Sequence, residues 1–191
     1  MKRILSFAVL VLITGSLMAQ TNWNADPAHT FVNFSVKHLG ISFVNGSFKK
    51  FEGSYTSDKK DLSDIKINFS IDASSVSTGV EQRDNHLKSD DFLNAEKYPS
   101  LKFESISFKK VSGNNYLLTG KLTIRDVTKV VTFKVVYGGV TKDPWGNNRS
   151  GFTATTTINR FDFGTKYDPT GMGVAKDVTI NLNLEFVQAK Q

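Results

Sequence analysis

The sequence predicts an all-β fold, an antiparallel barrel of about eight strands with one short helix between the early and the late strands. The first observation behind this prediction is that apolar and polar residues alternate through most of the chain, as they do in Ile65–Ile71. The second is that the alternating runs are mostly joined by short turns. The third is that the runs are long for a sandwich of this size, which favours closure into a barrel.

Each alternating run has one apolar face and one polar face, as expected for strands with a core on one side and solvent on the other. In chain order the predicted strands are Phe31–His38, Phe48–Thr56, Ile65–Ile71, Leu101–Lys109, Tyr116–Ile124, Val130–Tyr137, Gly151–Asn159 and Val178–Val187. Gly40 to Gly46 is expected to be a turn, and Gly164 to Gly173 a glycine-rich loop. The alternation changes phase near Ser105, which predicts a bulge there. We find no internal repeat, so the strands are assigned to one domain.

The segment from Thr78 to Pro99 breaks this alternation and is predicted to contain the helix. Thr78 and Glu81 have the spacing of a capping box, in which each side chain binds an amide that the helix leaves free. Val80 and Leu87 recur at helical spacing. Pro99 disfavours the helical conformation of the residue before it, so the chain is expected to return to a strand there.

The first 19 residues have the features of a secretory signal peptide. Lys2 and Arg3 precede an apolar run over Ile4–Ile13, and small residues follow before Gln20. The run is too short to span a bilayer as a helix. We therefore predict cleavage near Ala19, a mature domain over residues 20–191, and a periplasmic or secreted location.

Composition and charge bear on disulfide bonds, nucleic-acid binding and membrane insertion. The chain has no cysteine, so a secreted form would be held together without disulfide bonds. The net charge is +6, and its lysines are scattered along strands rather than clustered, which favours a solvated surface over a nucleic-acid site. An outer-membrane barrel stays an alternative, but it would place Lys66, Lys121 and Lys134 in the hydrocarbon layer. We expect no stable membrane insertion.

No residue pattern in the chain is typical of a catalytic or metal site. His29, His38 and His86 are spaced unlike known metal-ligand sets. A nucleophile elbow of the form Gly-x-Ser-x-Gly is missing, and Gly171-Met172-Gly173 is only a weak echo of a phosphate-binding loop. These observations favour binding over catalysis, with no metal and no cofactor.

Several blocks of residues, in order along the chain, resemble the YceI-like family of exported, lipocalin-like barrels. The blocks are Asp26-x-x-His29-Thr30 followed by Val36-Lys37-His38-Leu39-Gly40, Gly46-x-Phe48-x-x-Phe51-x-Gly53, Arg83-Asp84-x-His86-Leu87-Lys88-Ser89-x-x-Phe92, Tyr98-Pro99-x-x-x-Phe103-x-Ser105, Gly120-x-Leu122-x-Ile124, Val127-Thr128-Lys129-x-Val131 and Asn159-Arg160-x-x-Phe163-Gly164. The chain departs from the family pattern at Asp126, where glycine is usual, and at Val130, where proline is usual. Both residues are expected in a strand connection.

The resemblance implies a lipocalin-like barrel whose apolar pore holds a polyisoprenoid or similar long-chain lipid, sequestered or transported without chemical change. By strand parity and family position, the pore candidates are Phe34, Val36, Ile67, Phe69, Phe103, Leu118, Phe133, Phe152, Ile158 and Leu182. Each of them fits equally well as packed core. Candidates for the polar end, either touching a headgroup or bracing the helix, are His38, Arg83, Asp84 and His86.

Other readings stay open. A lipid-modifying isomerase or hydrolase would use His38 as its base in the same pore. Alternatively, the protein would be a stress-induced or electron-transfer accessory whose lipid is incidental. The sequence does not decide whether the chain forms a homodimer.

Overall fold

The structure is a computed structural model that describes residues 21–190, so the predicted signal peptide lies outside the described residues. Within them there are eleven strands, all in one antiparallel sheet. The strands are β1 (Asn22–Ala25), β2 (Phe31–His38), β3 (Ser42–Phe48), β4 (Phe51–Thr56), β5 (Lys66–Asp72), β6 (Val76–Ser77), β7 (Ser100–Ser112), β8 (Asn115–Ile124), β9 (Val127–Lys142), β10 (Asn148–Asn159) and β11 (Val174–Gln188). The helix α1 spans Glu81–Lys88, and short 3-10 turns span Ala73–Ser75 and Arg160–Phe163.

The sheet closes on itself into a barrel of eight strand positions, as the sequence predicts. Closure occurs at β1, where Trp23 is paired both with Gln188 of β11 and with Tyr55 of β4. Strands β1 and β2 lie one after the other along the same edge of β11. Strand β2 pairs with the earlier part of β11, through Val174–Asn183. None of the helical segments described is long and apolar enough to cross a membrane.

The predicted turn over Gly40 to Gly46 is wrong, because Ser42–Phe48 forms β3 and pairs with β2 along its whole length. Gly46 lies in this strand beneath the aromatic ring of Phe34. A Cβ atom at residue 46 would meet Phe34 Cζ at 2.3 Å. The glycine therefore allows a close approach of a ring to the backbone, which is a different use of glycine from a turn.

Among residues 21–190, one edge of β3 has only a short strand partner. On the side away from β2, Ser47 and Phe48 lie opposite Ser77 and Val76 of β6. Helix α1 follows β6 and covers this part of the wall, since its Leu87 lines the same cavity as β3. Helix α1 thus fills a gap that the described strands leave open.

The predicted capping box between Thr78 and Glu81 is wrong, although a helix does follow. The N-cap residue is Val80, and it makes no side-chain capping bond. Gly79, with φ +78°, separates Thr78 from the helix. Asp84 in the helix accepts hydrogen bonds from the Thr78 amide at 2.7 Å and from its hydroxyl at 2.5 Å. Thr78 is therefore bound to the helix by a residue further along it.

The two departures from the family pattern lie in different places. Asp126 is in the tight turn between β8 and β9, where Arg125 takes a positive φ of 59°. The Asp126 carboxylate accepts a hydrogen bond of 3.0 Å from the Tyr98 hydroxyl. Val130, in contrast, lies within β9 opposite Lys121, so the expectation that it belongs to a connection is wrong.

Aromatic side chains close one end of the barrel. Tyr55 and Phe186 are 2% and 1% exposed, and their rings meet edge to face at 4.9 Å. Trp23 stacks on Tyr55 with 5.5 Å between ring centroids. The Tyr55 hydroxyl lies 2.7 Å from Oγ of Ser150, and burial raises the pKa of the tyrosine despite this bond. We call Trp23, Tyr55, Phe152 and Phe186 the aromatic floor.

Candidate functional site

A cavity of about 380 Å³ lies at the other end of the barrel from the aromatic floor, enclosed by β2, β3, β11 and α1. We call it the upper cavity. Its apolar lining residues are Phe34, Val36, Val44, Phe48, Val76, Leu87, Phe92, Leu93, Leu101, Ile124, Ile158, Phe163, Val174, Val178 and Ile180. Its polar or amphipathic lining residues are His38, Arg83, His86, Arg160, Thr165 and Tyr167. A mostly apolar pocket of this size with few polar groups is typical of a small-molecule site.

Strand pairing explains why the aliphatic residues converge. Val36 lies opposite Val178 on one side and Val44 on the other, while Phe34 lies opposite Ile180. Directly paired residues point to the same face of a sheet, so this row faces the interior together. The alternation in β2 and β11 therefore builds a continuous apolar wall.

A second, smaller space of about 100 Å³ lies deeper in the barrel. Aromatic side chains nearly fill it. Phe103 meets Phe133 edge to face at 5.5 Å, and Phe69 meets Phe186 in the same way at 6.2 Å. Phe34 lines both spaces, so its ring lies at the boundary between the upper cavity and the deeper space.

The residues predicted from the sequence separate into three groups. Those that line the upper cavity are Phe34, Val36, His38, Arg83, His86 and Ile158. Those that line the deeper space are Ile67, Phe69, Phe103, Leu118, Phe133, Phe152 and Leu182. Asp84 lines neither space and is bonded to Thr78 instead. The structure thus divides the predicted pore residues between the upper cavity and the deeper space, a division that the sequence did not predict.

Sequence reasoning missed several residues of the upper cavity. Val44 was missed because its strand was expected to be a turn, and Thr165 and Tyr167 because they belong to the predicted loop over 164–173. The alternation in the last strand does place Val178 and Ile180 inward. That signal marks an inward residue but does not mark a cavity.

Arg83 lines the upper cavity and has hydrogen-bond donors that find no partner among residues 21–190. Its Nε donates to the Thr78 hydroxyl at 2.8 Å, and one Nη2 hydrogen donates to the Thr78 carbonyl at 3.2 Å. Among residues 21–190 no carboxylate lies within ion-pair distance of Arg83. A guanidinium carries five N–H donors, so the Nη1 group stays available to a ligand.

His86 is held in place on the same helix. Its Nε2 lies 2.8 Å from Oδ2 of Asp91. The imidazole meets the rings of Phe92 at 5.0 Å and Tyr167 at 4.8 Å, both edge to face. These contacts make His86 part of a fixed aromatic wall at the mouth of the cavity.

Arg160 is a charged residue that the sequence did not predict in the site, and it is only 5% exposed. Its guanidinium donates to four backbone carbonyls, those of Tyr167, Asp168, Val174 and Ala175. Burial lowers the pKa of Arg160, while the nearby Asp168 acts in the opposite direction. Since its donors are engaged by backbone, Arg160 fixes the loop that borders the cavity.

His38 lines the upper cavity at the end of β2. Within residues 21–190 no carboxylate lies within 4.0 Å of its ring, unlike the rings of His29 and His86. A histidine that acts as a general base is usually oriented by such a partner. The described residues therefore supply a cavity histidine without an orienting acid.

Asp26, His29 and Glu185 place their ligand atoms within 4.8 Å of one another, a spacing that suits a metal ion. Arg149 occupies this cluster, with its Nη1 at 2.6 Å from Asp26 and 2.5 Å from Glu185. Burial raises the pKa of Asp26, but hydrogen bonds from His29 and Arg149 outweigh it and lower that pKa to about 2. The cluster is thus an ion-pair network that joins β10 and β11 to the connection between β1 and β2.

Comparison with known proteins gives consistent results over nearly the whole described chain. A family profile described as YceI-like domain matches residues 23–186. Protein YceI of Escherichia coli O17:K52:H18 is 42% identical over 97% of this chain and 96% of its own length.

Two solved structures share the fold. The crystal structure of BcnA from Burkholderia cenocepacia has a TM-score of 0.75 at 27% identity, covering 84% of this chain and 98% of its own. A domain from Saccharophagus degradans, described as polyisoprenoid binding and implicated in plant cell wall breakdown, has a TM-score of 0.69. It is 14% identical and covers 87% of this chain and 98% of its own, a similarity that shows the fold alone.

Proposed function

Because this chain belongs to the family of YceI-like domains, we propose that it binds one long-chain apolar lipid of the isoprenoid type in the upper cavity. The lipid is held without a catalytic step. The protein sequesters or carries it outside the cytoplasm, after removal of the signal peptide predicted over residues 1–19.

The observation that carries this proposal is an apolar cavity of about 380 Å³ whose polar residues are few. Burial of an apolar chain in such a cavity contributes roughly 25 cal/mol per Å² of surface removed from water. A domain of similar fold in Saccharophagus degradans is described as polyisoprenoid binding, which supports the choice of lipid class.

The ligand would lie with its polar end near α1. Arg83 offers unused N–H donors to a phosphate, carboxylate or carbonyl oxygen, and His38 lines the same cavity. Guanidinium groups bind such oxygens strongly because the bonds are charge-assisted. The tail then extends past Phe34 towards the deeper space of about 100 Å³. Asp84 contributes by holding Thr78 against the helix rather than by touching the ligand.

Native mass spectrometry of the purified mature protein, followed by solvent extraction, tests the proposal. We expect a stoichiometric bound mass that extracts as an isoprenoid or similar long-chain lipid. Val178→Trp should lower the bound fraction, because Val178 lines the upper cavity and the larger indole would take up part of the space that the lipid needs. Val130→Trp is the matched control, since Val130 is 64% exposed on the outer face of β9.

An empty wild-type protein that also fails to take up isoprenoid lipid from an ethanol stock would contradict the proposal. Equal lipid content in both tryptophan variants would place the ligand elsewhere.

A lipid-modifying enzyme that uses His38 as its base is the alternative function. The position of His38 in the cavity wall favours it, whereas the lack of an orienting acid among residues 21–190 does not. His38→Ala separates the two functions. The binding function predicts unchanged lipid content in this variant, whereas the enzymatic function predicts accumulation of unconverted lipid.

A further inference from the structure

Four large apolar side chains are displayed to solvent at the mouth of the upper cavity. Leu39, Ile41 and Phe43 are 59%, 85% and 64% exposed on the hairpin between β2 and β3. Met172 is 80% exposed on the loop over 164–173. We call these four residues the apolar rim. Contiguous exposed apolar side chains mark interaction sites more often than isolated ones do.

The two parts of the apolar rim lie side by side. The Leu39 amide donates to the Gly173 carbonyl at 2.8 Å, one residue after Met172. The next residue along the loop, Val174, pairs with His38. The hairpin tip and the loop tip are therefore linked directly by backbone contacts.

Both parts of the apolar rim are held in fixed conformations. Leu39 has a positive φ of 50°, which is uncommon for a residue with a branched apolar side chain and is usually taken by glycine or asparagine. On the loop, the Asp168 carboxylate accepts hydrogen bonds from the amides of Gly173 and Val174 at 2.7 and 2.8 Å. The fold thus keeps the side chains of Leu39 and Met172 exposed to water. A polar residue in place of either one would expose less apolar surface.

The apolar rim borders the cavity lining. His38 and Val174 pair with each other and line the upper cavity, and they are next in the chain to Leu39 and Gly173. The rim residues Leu39 and Phe43 alternate with lining residues along the hairpin and are exposed. A surface in contact with the rim would therefore lie beside the edge of the cavity.

Charge and size indicate what covers the rim. The exposed charges nearby have both signs: Lys37 lies opposite Phe43, and Lys176 is followed by Asp177. Such a mixture gives no field of one sign to attract a charged macromolecule. A stable interface between proteins engages roughly 20–30 residues a side, far more than these four. A few exposed apolar side chains suit shallow insertion into a bilayer interface.

We infer that the apolar rim docks reversibly on a lipid bilayer and lets a lipid move between that bilayer and the upper cavity. This inference rests on the proposed lipid-binding function. Docking relies on insertion of apolar side chains, so it depends little on lipid charge or on salt.

The test is flotation of the mature protein with vesicles of phosphatidylcholine alone, together with transfer of a fluorescent isoprenoid from those vesicles to the protein. We expect wild-type protein to float with the vesicles in low and in high salt. The double variant Ile41→Ser, Met172→Ser should lower the partition coefficient by at least about tenfold, because each side chain contributes through the apolar area it buries. Transfer should slow in parallel, while uptake of the same isoprenoid from ethanol stays unchanged.

Trp145→Ser is the matched control. Trp145 is 79% exposed in the turn between β9 and β10, at the end of the barrel that holds the aromatic floor. This variant should float and exchange lipid like the wild type.

Three results would overturn the inference. These are a wild-type protein that does not float, a rim variant that floats equally well, and a wild-type dimer in sedimentation that the rim substitutions dissociate. Failure of uptake from ethanol by the wild type would instead contradict the proposed function, and flotation would still decide the docking.

Discussion

The two halves of this barrel share their strands but are filled in different ways. In the lower half, the rings of Tyr55, Phe152 and Phe186 meet edge to face, with centroids 4.9 to 5.8 Å apart. In the upper half, aliphatic side chains such as Val36 and Val178 leave a cavity of about 380 Å³. Large rings reach across a barrel of this width, whereas short branched side chains on opposite walls do not.

This difference separates stability from binding. Aromatic side chains bury the largest areas and give additional favourable contact when they meet edge to face. The aromatic floor therefore carries much of the folding free energy. Since the upper half contributes less to the folding free energy, its side chains can border a cavity instead of packing against one another.

Truncation of one residue in each half should give the largest contrast. Phe186→Ala removes a ring from the floor and should lower the free energy of unfolding by about 3–5 kcal/mol. Val178→Ala, in the wall of the upper cavity, should lower it by less than about 1.5 kcal/mol, because Val178 is only partly buried. Urea denaturation of the purified protein measures both values. Equal losses would show that the cavity wall is as important to stability as the floor.

A substitution at the boundary between the halves should have an intermediate effect. Gly46→Ala places a methyl group against the Phe34 ring, with 2.3 Å to Cζ, so the ring must move. Overpacking of this kind costs about 1–3 kcal/mol. The displaced ring should also enter the upper cavity and weaken lipid uptake, measured with a fluorescent isoprenoid.

Gly151→Ala is the control for this substitution, because an added Cβ at residue 151 has no heavy atom within 4 Å. It should change neither stability nor uptake by a measurable amount. If Gly46→Ala behaves in the same way, the Phe34 ring does not limit the cavity.

The smallest effect expected is a response to acid that is confined to stability. The pKa of Asp26 is about 2 in the folded protein, lower than the ordinary value of an aspartate in an unfolded chain. A lowered carboxyl pKa stabilises the folded protein at pH values above the pKa of the unfolded chain. This stabilisation is lost as the pH falls from there to the folded-state pKa of about 2. Asp26→Asn should therefore be less stable at neutral pH and lose less stability on acidification. Denaturation curves at a series of pH values check this, and a variant that keeps the full acid dependence would contradict it.

Lipid uptake should not follow the same acid dependence, since Asp26 and Arg149 do not line the upper cavity. Uptake measured on folded protein at each pH gives the comparison.

Strand alternation, together with the short turns and the length of the strands, predicted the barrel, and alternation with family position predicted the inward direction of the candidate residues. It places Val36 and Phe152 on the inner face equally well, because the pleat fixes which side a residue faces. It does not tell that Val36 borders a cavity while Phe152 belongs to the floor. That distinction depends on which side chains meet across the closed barrel. The sequence of a single strand does not predict those contacts.

Two further features could not be predicted for different reasons. Arg160 follows a strand and precedes a loop, a place where a charged residue usually faces solvent. It is buried because the loop over 164–173 and the start of β11 turn their carbonyls towards it. Strand β3 was missed because Gly46 has the composition signal of a turn, while its actual role depends on a ring from the neighbouring strand.

The pairing of β1 with β11 also determines when the fold can be completed. Trp23 and Gln188 lie opposite each other, so contacts between the first and the last of the described strands close the barrel. Contacts of such high sequence separation form late, because the entropy of closing a long loop must be lost first. A chain that emerges from the ribosome N-terminus first therefore leaves one edge of β1 and one edge of β10 unpaired until β11 appears. Closure of the barrel is in effect coupled to the synthesis of β11.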